Sequence, residues 1–170
     1  MVFCILSTNS LECGGQPLGV PSMTVTGALD AQTQRQLEAL LTEFAYRADH
    51  GRAATVHELF TEDGSIRGPG LAMQSRREIA RQFAERGQDA ARVSRHLWSN
   101  PRFENLGEDA WRVTTAVQTF IHRLADGEVL PVSACTLVVG DSLDVIEKCD
   151  DGQWRFRSRE LAVAFRIERG

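Results

Sequence analysis

The chain has 170 residues, 42% hydrophobic and 25% charged, with a net charge of -4. That length is one domain's worth, and a chain of this size buries roughly 70% of the surface that its unfolded form exposes. The balance excludes a disordered chain, a collagen-like chain and a membrane bundle. Eighteen of its nineteen Lys and Arg residues are arginines, and they are scattered. An acidic chain with no basic block is not built to bind nucleic acid.

Residues 1–27 read as a flexible tail, punctuated by Gly14, Gly15, Pro17, Gly19 and Pro21. Met23 is an alternative start. The run Val2–Leu6 lacks a basic flank and is too short for a secretory leader. No stretch approaches the roughly 20 apolar residues of a membrane helix. A cytoplasmic protein with no membrane partner is the expectation. Of the four cysteines (4, 13, 135 and 149), none forms a CxxC or other zinc spacing, and Cys135 and Cys149 read as buried thiols.

Residues 28–170 form the expected domain. Asp30 is an N-cap, and Leu37, Leu40, Leu41, Phe44, Ala45 and Ala48 follow the i, i+3, i+4 spacing of an amphipathic helix over 31–49. A short helix over 52–60 buries Val56, Leu59 and Phe60. Glu62-Asp63-Gly64 turns the chain into a short strand around Ile66, and Gly68-Pro69-Gly70 is a loop. Ser75-Arg76-Arg77-Glu78 is a capping box that opens a third helix, with Gly87 at its C′ position. Strands are predicted at 92–104, 110–124, 128–139, 142–149 and 153–167, with Gly140-Asp141 as a bulge or bend. Helices followed by strands predict an α+β fold, three N-terminal helices on a curved antiparallel sheet. Strand 110–124 is apolar on both faces. Trp111, Val113, Val117 and Ile121 point one way, and Ala110, Ala116 and Phe120 the other. One face meets the helices, and a homodimer through the sheet is the simplest cover for the other.

Four stretches carry a resemblance: "FAYRADHGRAATVHELFTEDGSI" (44–66), "SRREIARQF" (75–83), "RHLWSNPRFE" (95–104) and "VIEKCDDGQWRFRSRE" (145–160). With the element order, they resemble the SnoaL-like family of the nuclear-transport-factor-2-like superfamily, over about residues 30–167. The resemblance implies a cone-shaped α+β barrel with a pocket between the concave sheet face and the helices. The superfamily includes dehydratases, isomerases, polyketide cyclases and non-catalytic subunits, so the site must decide.

Asp49 closes the first helix at the edge of its apolar stripe, where partial desolvation would raise its pKa and suit acid–base work. Bile-acid dehydratases resemble this chain in having an Asp here, with a Tyr five residues earlier. That earlier position is Phe44. Tyr46 does not replace it, because it lies about 180° from Leu37 around the helix. His96 is predicted on one strand face with Trp98 and Asn100, and the resemblance implies a pocket acid or base there. Asp144 lies in a "G…Y…D" stretch with Ser142 at the tyrosine position. It either orients His96 or pairs with Arg155, Arg157 or Arg159. His122 is placed at a pocket mouth or a strand end, and His50 and His57 in solvent. Phe44, Trp98 and Phe120 supply apolar walls for a hydrophobic small-molecule ligand. No carboxylate stands at Gly68-Pro69, where a steroid isomerase would carry its base. With no metal spacing and no phosphate loop, no cofactor and no metal are expected.

Two functions follow. In the first, His96 and Asp49 catalyse proton transfer on a hydrophobic carbonyl compound, as a cofactor-independent dehydratase, isomerase or cyclase. In the second, the chain is a binding module like the small subunit of a ring-hydroxylating dioxygenase.

Overall fold

The structure is a computed structural model, and it describes residues 28–123 and 135–167. The predicted tail, with Cys4 and Cys13, and the predicted strand residues 128–134 lie outside them. Helix α1 (Ala31–Asp49) starts where the sequence places it. The Asp30 carboxylate accepts from the backbone amides of Gln32 (2.8 Å) and Thr33 (2.9 Å). Leu37, Leu40, Leu41 and Ala48 form its buried stripe. A 3₁₀ helix (Ala53–Leu59) follows, then strands β1 (Phe60–Gly68) and β2 (Leu71–Met73). Helix α2 (Arg76–Gly87) opens on the predicted box. Glu78 donates its amide to Ser75 Oγ at 3.2 Å, and its carboxylate takes the Gln74 amide at 2.8 Å. Gly87 is the last helical residue rather than the residue beyond the end, and Gln88 caps the helix.

Four long strands follow among the described residues: β3 (Arg92–Gly107), β4 (Ala110–Arg123), β5 (Thr136–Lys148) and β6 (Trp154–Ile167). The sheet order is β2-β1-β6-β5-β4-β3. Every neighbouring pair is antiparallel except β1 and β6, which run parallel. The sheet is therefore mixed and open. Its edges are β2 and β3, and α1 and α2 pack with the 3₁₀ helix on the concave side.

Two irregularities replace predicted breaks. Residues 136–148 form one strand, not two, because the bulge at Gly140 falls on its partner. Val139 pairs with Phe165, but Gly140 pairs with Val163. A Cβ at Gly140 would lie 2.1 Å from the Ala162 carbonyl oxygen, so only glycine lets β5 pass without ending. The turn expected at Glu62-Asp63-Gly64 survives only as a register shift inside β1.

The core fills the space between helices and sheet. Leu37, Val56, Phe60, Ile79, Val113, Ile146 and Phe156 are fully enclosed. Phe60 and Phe156 stack at 5.2 Å across the parallel pair, and each contributes roughly 2–3 kcal/mol by burial. No helix among the described residues is long and apolar enough to cross a membrane.

Candidate active site

The end of α1 meets the start of β3, and this seam brings together Asp49 and His96, 47 residues apart. Asp49 Oδ1 accepts from His96 Nδ1 at 2.6 Å, and Oδ2 accepts from the His96 backbone amide at 2.6 Å. The buried Ser94 donates its hydroxyl to Oδ1 at 2.7 Å. Burial pushes the Asp49 carboxyl up. The bonds and charge of His96, with the Ser94 hydroxyl, outweigh it and hold the group at about 2. This reverses the raised pKa expected from partial desolvation alone. Burial lowers the His96 imidazole below 6.5, against the pull of Asp49 and with help from Arg86 and Arg159. An ionised carboxylate only accepts, so Nδ1 carries the proton. Nε2 is then the basic nitrogen, with no protein hydrogen-bond partner among the described residues.

Asp144 is in a different setting. It lies on β5 beside Arg159 of β6, with no exposure, and Arg159 is the partner among the three arginines the sequence offered. Its Oδ1 accepts from Ser142 Oγ (2.8 Å) and Arg159 Nε (3.0 Å). Oδ2, Arg159 Nη1 and Thr115 Oγ1 are buried without a protein partner. Burial raises the Asp144 pKa, and the charge of Arg159 and the hydrogen bonds of both partners only partly oppose it. Asp144 does not bond to His96. Phe44 stands between the two clusters, its ring 6.5 Å from that of His96 and 3.9 Å from the Arg159 guanidinium. Phe60, Phe83 and Phe156 pack edge-on to Phe44.

A groove of about 340 Å³ runs along the seam, and Asp49 and His96 form part of its wall. Tyr46 lines it from α1, His50 from the cap just beyond, and Arg95, Leu97 and Trp98 from β3. The expected pocket lay under the concave face; this one opens on the flank of α1 instead. That is why Tyr46, away from the buried stripe, still reaches it, with its ring 4.7 Å from that of His50. A larger depression of about 610 Å³ lies at the other end of α1, beside Trp111, Lys148 and Trp154. Its Asp30 is already used as the helix cap, and it holds no carboxylate–imidazole pair. The smaller groove is the one of the two whose wall holds the carboxylate–imidazole pair.

Trp98 lines the groove as expected, and Phe44 backs it from the core side. Phe120 and His122 do not join them. On β4 the residues facing the helices are Trp111, Val113 and Thr115, and Thr119 pairs directly with His96. Strand alternation sends Phe120 and His122 to the outer face. Asn100, expected beside His96 and Trp98, has φ 53° in a bulge of β3 and leaves that alternation. Ser94 and Arg86 are site residues that the sequence did not single out. Ser94 is detectable as the i−2 neighbour of His96 on the same strand face. Arg86 leaves no local signal.

The SnoaL-like domain family matches residues 30–160. The chain belongs to the SnoaL-like family. Among solved structures, this SnoaL-like protein is similar to a candidate scytalone dehydratase from Novosphingobium aromaticivorans. The TM-score is 0.68 at 22% identity, over 81% of this chain and 87% of that one. It is similar to ActVI-ORFA from Streptomyces coelicolor, with TM-score 0.65 and 20% identity over 78% and 98%. It is also similar to a hexachlorocyclohexane dehydrochlorinase, LinA type 2, with TM-score 0.66 and 12% identity over 80% and 88%. At these identities the likeness establishes the cone-shaped fold. No curated protein matches this chain in sequence.

Proposed function

We propose that this SnoaL-like protein is a cofactor-independent acid–base catalyst, a dehydratase, isomerase or cyclase acting on a hydrophobic carbonyl compound. The observation that carries it is the 2.6 Å bond from His96 Nδ1 to Asp49, which leaves Nε2 as a base beside an apolar groove. In the mechanism, Nε2 takes a proton from the carbon next to a carbonyl group. Asp49 fixes the tautomer and stabilises the imidazolium that forms. The same imidazolium then returns the proton, to a leaving hydroxyl in dehydration or to carbon in isomerisation. Trp98, Leu97 and Tyr46 hold the apolar body of the substrate. The dehydratase and dehydrochlorinase neighbours are consistent with elimination chemistry on this scaffold. The test is a panel of hydrophobic ketones and β-hydroxy ketones in D₂O, followed by NMR for α-proton exchange and loss of water. His96→Gln is expected to lower turnover roughly 10²- to 10⁴-fold with the fold intact. A His96→Gln protein as active as the wild type would overturn the reading.

A non-catalytic subunit of a larger assembly is the second reading, and the outer sheet face is where it is tested. Phe165 is 69% exposed and Ile167 61%, with Leu97 on the same face. Arg95, Arg112, Asp141 and Glu160 share that face, so it carries both signs of charge and complements itself. The occupant we favour is therefore a second copy of this chain. Light scattering should report a dimer, with Phe165→Asp a folded monomer. A monomeric wild type would instead direct the search to a larger, different partner.

A further inference from the structure

Arg86 occupies the last turn of α2 and reaches two other elements. Its Nη2 lies 3.0 Å from Ser94 Oγ on β3 and 3.5 Å from the carbonyl of Ala48, the residue before Asp49 on α1. A guanidinium has no acceptor, so Arg86 must donate to the Ser94 oxygen. The Ser94 hydrogen is then committed to the Asp49 carboxylate, 2.7 Å away. The carboxylate in turn commits Nδ1 of His96 as a donor. Each bond has one allowed direction, and the donors converge on the Asp49 carboxylate, from Arg86 through Ser94 on one side and from His96 Nδ1 on the other.

We propose that Arg86, acting through Ser94, is a positioning residue that fixes Asp49 and holds His96 in the neutral tautomer with Nε2 free. The inference rests on the reading of His96 as the base, and it adds where the base gets its orientation. The charged groups facing His96 are Asp49 from α1, Arg86 from α2 and Arg159 from β6. Asp49 alone would favour an imidazolium. A buried cation linked to the same carboxylate opposes that, and burial and the neighbouring Arg92 bring Arg86 itself down to about 10.

The experiment is a long-range ¹H–¹⁵N NMR titration of the histidine side chains in the full chain. His96→Gln identifies the His96 signals among four histidines. The wild type should show Nδ1 protonated and Nε2 bare above its midpoint. Arg86→Met should move the His96 midpoint up by roughly one pH unit, and Arg86→Lys should return most of it. Ser94→Ala should move it in the same direction by less. The double variant Arg86→Met/Ser94→Ala should move it no further than Arg86→Met alone. Additive shifts would mean that Arg86 acts through space, and they would overturn the relay. An unmoved midpoint in Arg86→Met would overturn it as well. If Arg86→Met does not fold, Ser94→Ala decides alone, and an unchanged midpoint there overturns the proposal. Turnover is read separately. A moving midpoint in a protein that turns over nothing leaves the relay and removes the catalysis. An active protein with an unmoved midpoint does the reverse.

Discussion

Two carboxylates are buried on either side of Phe44, and the protein treats them in opposite ways. Asp49 is nearly enclosed, with 4% of its side chain exposed, and receives three hydrogen bonds spread over both oxygens. Asp144 is fully enclosed and receives two, both on Oδ1. Burial pushes each pKa up. At Asp49 the donors win and the group falls to about 2; at Asp144 burial wins and the group rises. The difference shows that depth alone does not set a carboxylate's charge; the donors it is given do. It also separates their uses. Asp49 is tied to an imidazole, a group that gains and loses a proton, whereas Asp144 is tied to a guanidinium that does not.

The largest way to break the comparison is to remove a partner from the deeper cluster. Arg159→Met strips Asp144 of its cation and leaves a buried, half-satisfied carboxylate. A loss of about 3–5 kcal/mol in urea unfolding is expected. The apolar double variant Asp144→Leu/Arg159→Met should recover most of that loss, because no orphan charge remains. A double variant as unstable as the single would mean that the cluster contributes more than its own mutual neutralisation.

The two clusters were not equally legible. The Asp49–His96 pairing was legible because a helix end and a strand face each had a local pattern and the SnoaL-like resemblance implied an acid or base at both places. Phe44 and Trp98 came with those same patterns. Asp144 was legible as an acid near arginines, but the choice of Arg159 depends on the β5–β6 register, which no local signal encodes. The misplacement of Phe120 and His122 has the same cause. Alternation reveals which residues share a face, not which face turns inward. Arg86 was unreadable for a further reason. In a chain whose basic residues are nearly all arginine, one more carries no information until folding sets it against Ser94. The parallel β1–β6 contact, the one departure from antiparallel pairing among the described residues, joins strands about 90 residues apart and lies beyond any local periodicity.

The second prediction uses acid to sharpen the contrast. Asp49 falls from 3.8 to about 2 on folding, so its contribution is complete above 3.8 and is lost as pH drops toward 2. That contribution is about 2 kcal/mol. Asp144 is raised above 3.8, so its contribution has the opposite sign, present below 3.8 and lost as pH climbs through its folded value. Unfolding free energy measured against pH should therefore separate them. Asp49→Asn should flatten the curve below about pH 4 and cost about 2 kcal/mol at neutrality. Asp144→Asn should change the slope only above about pH 4 and make the acid-side loss there steeper. If both variants changed the same limb in the same sense, the two sites would not be opposites.

The smallest effects come from removing a single hydroxyl from each cluster. Ser142→Ala leaves Asp144 with Arg159 Nε alone and removes the acceptor 3.3 Å from Arg159 Nη2. Ser94→Ala leaves Asp49 with two donors from His96, and Arg86 Nη2 keeps the more distant Ala48 carbonyl. A hydrogen bond to a charged group is worth about 1.5–3 kcal/mol, and an ordinary one about 1 kcal/mol. Both hydroxyls meet charged groups, so both losses should lie toward the low end of that charged range, with Ser142→Ala above Ser94→Ala, in thermal or urea unfolding at neutral pH. The order matters more than either size. A carboxylate with one remaining donor must absorb the loss, whereas one with two can share it. Equal costs would mean that neighbouring charge, not the number of donors, decides the state of each carboxylate.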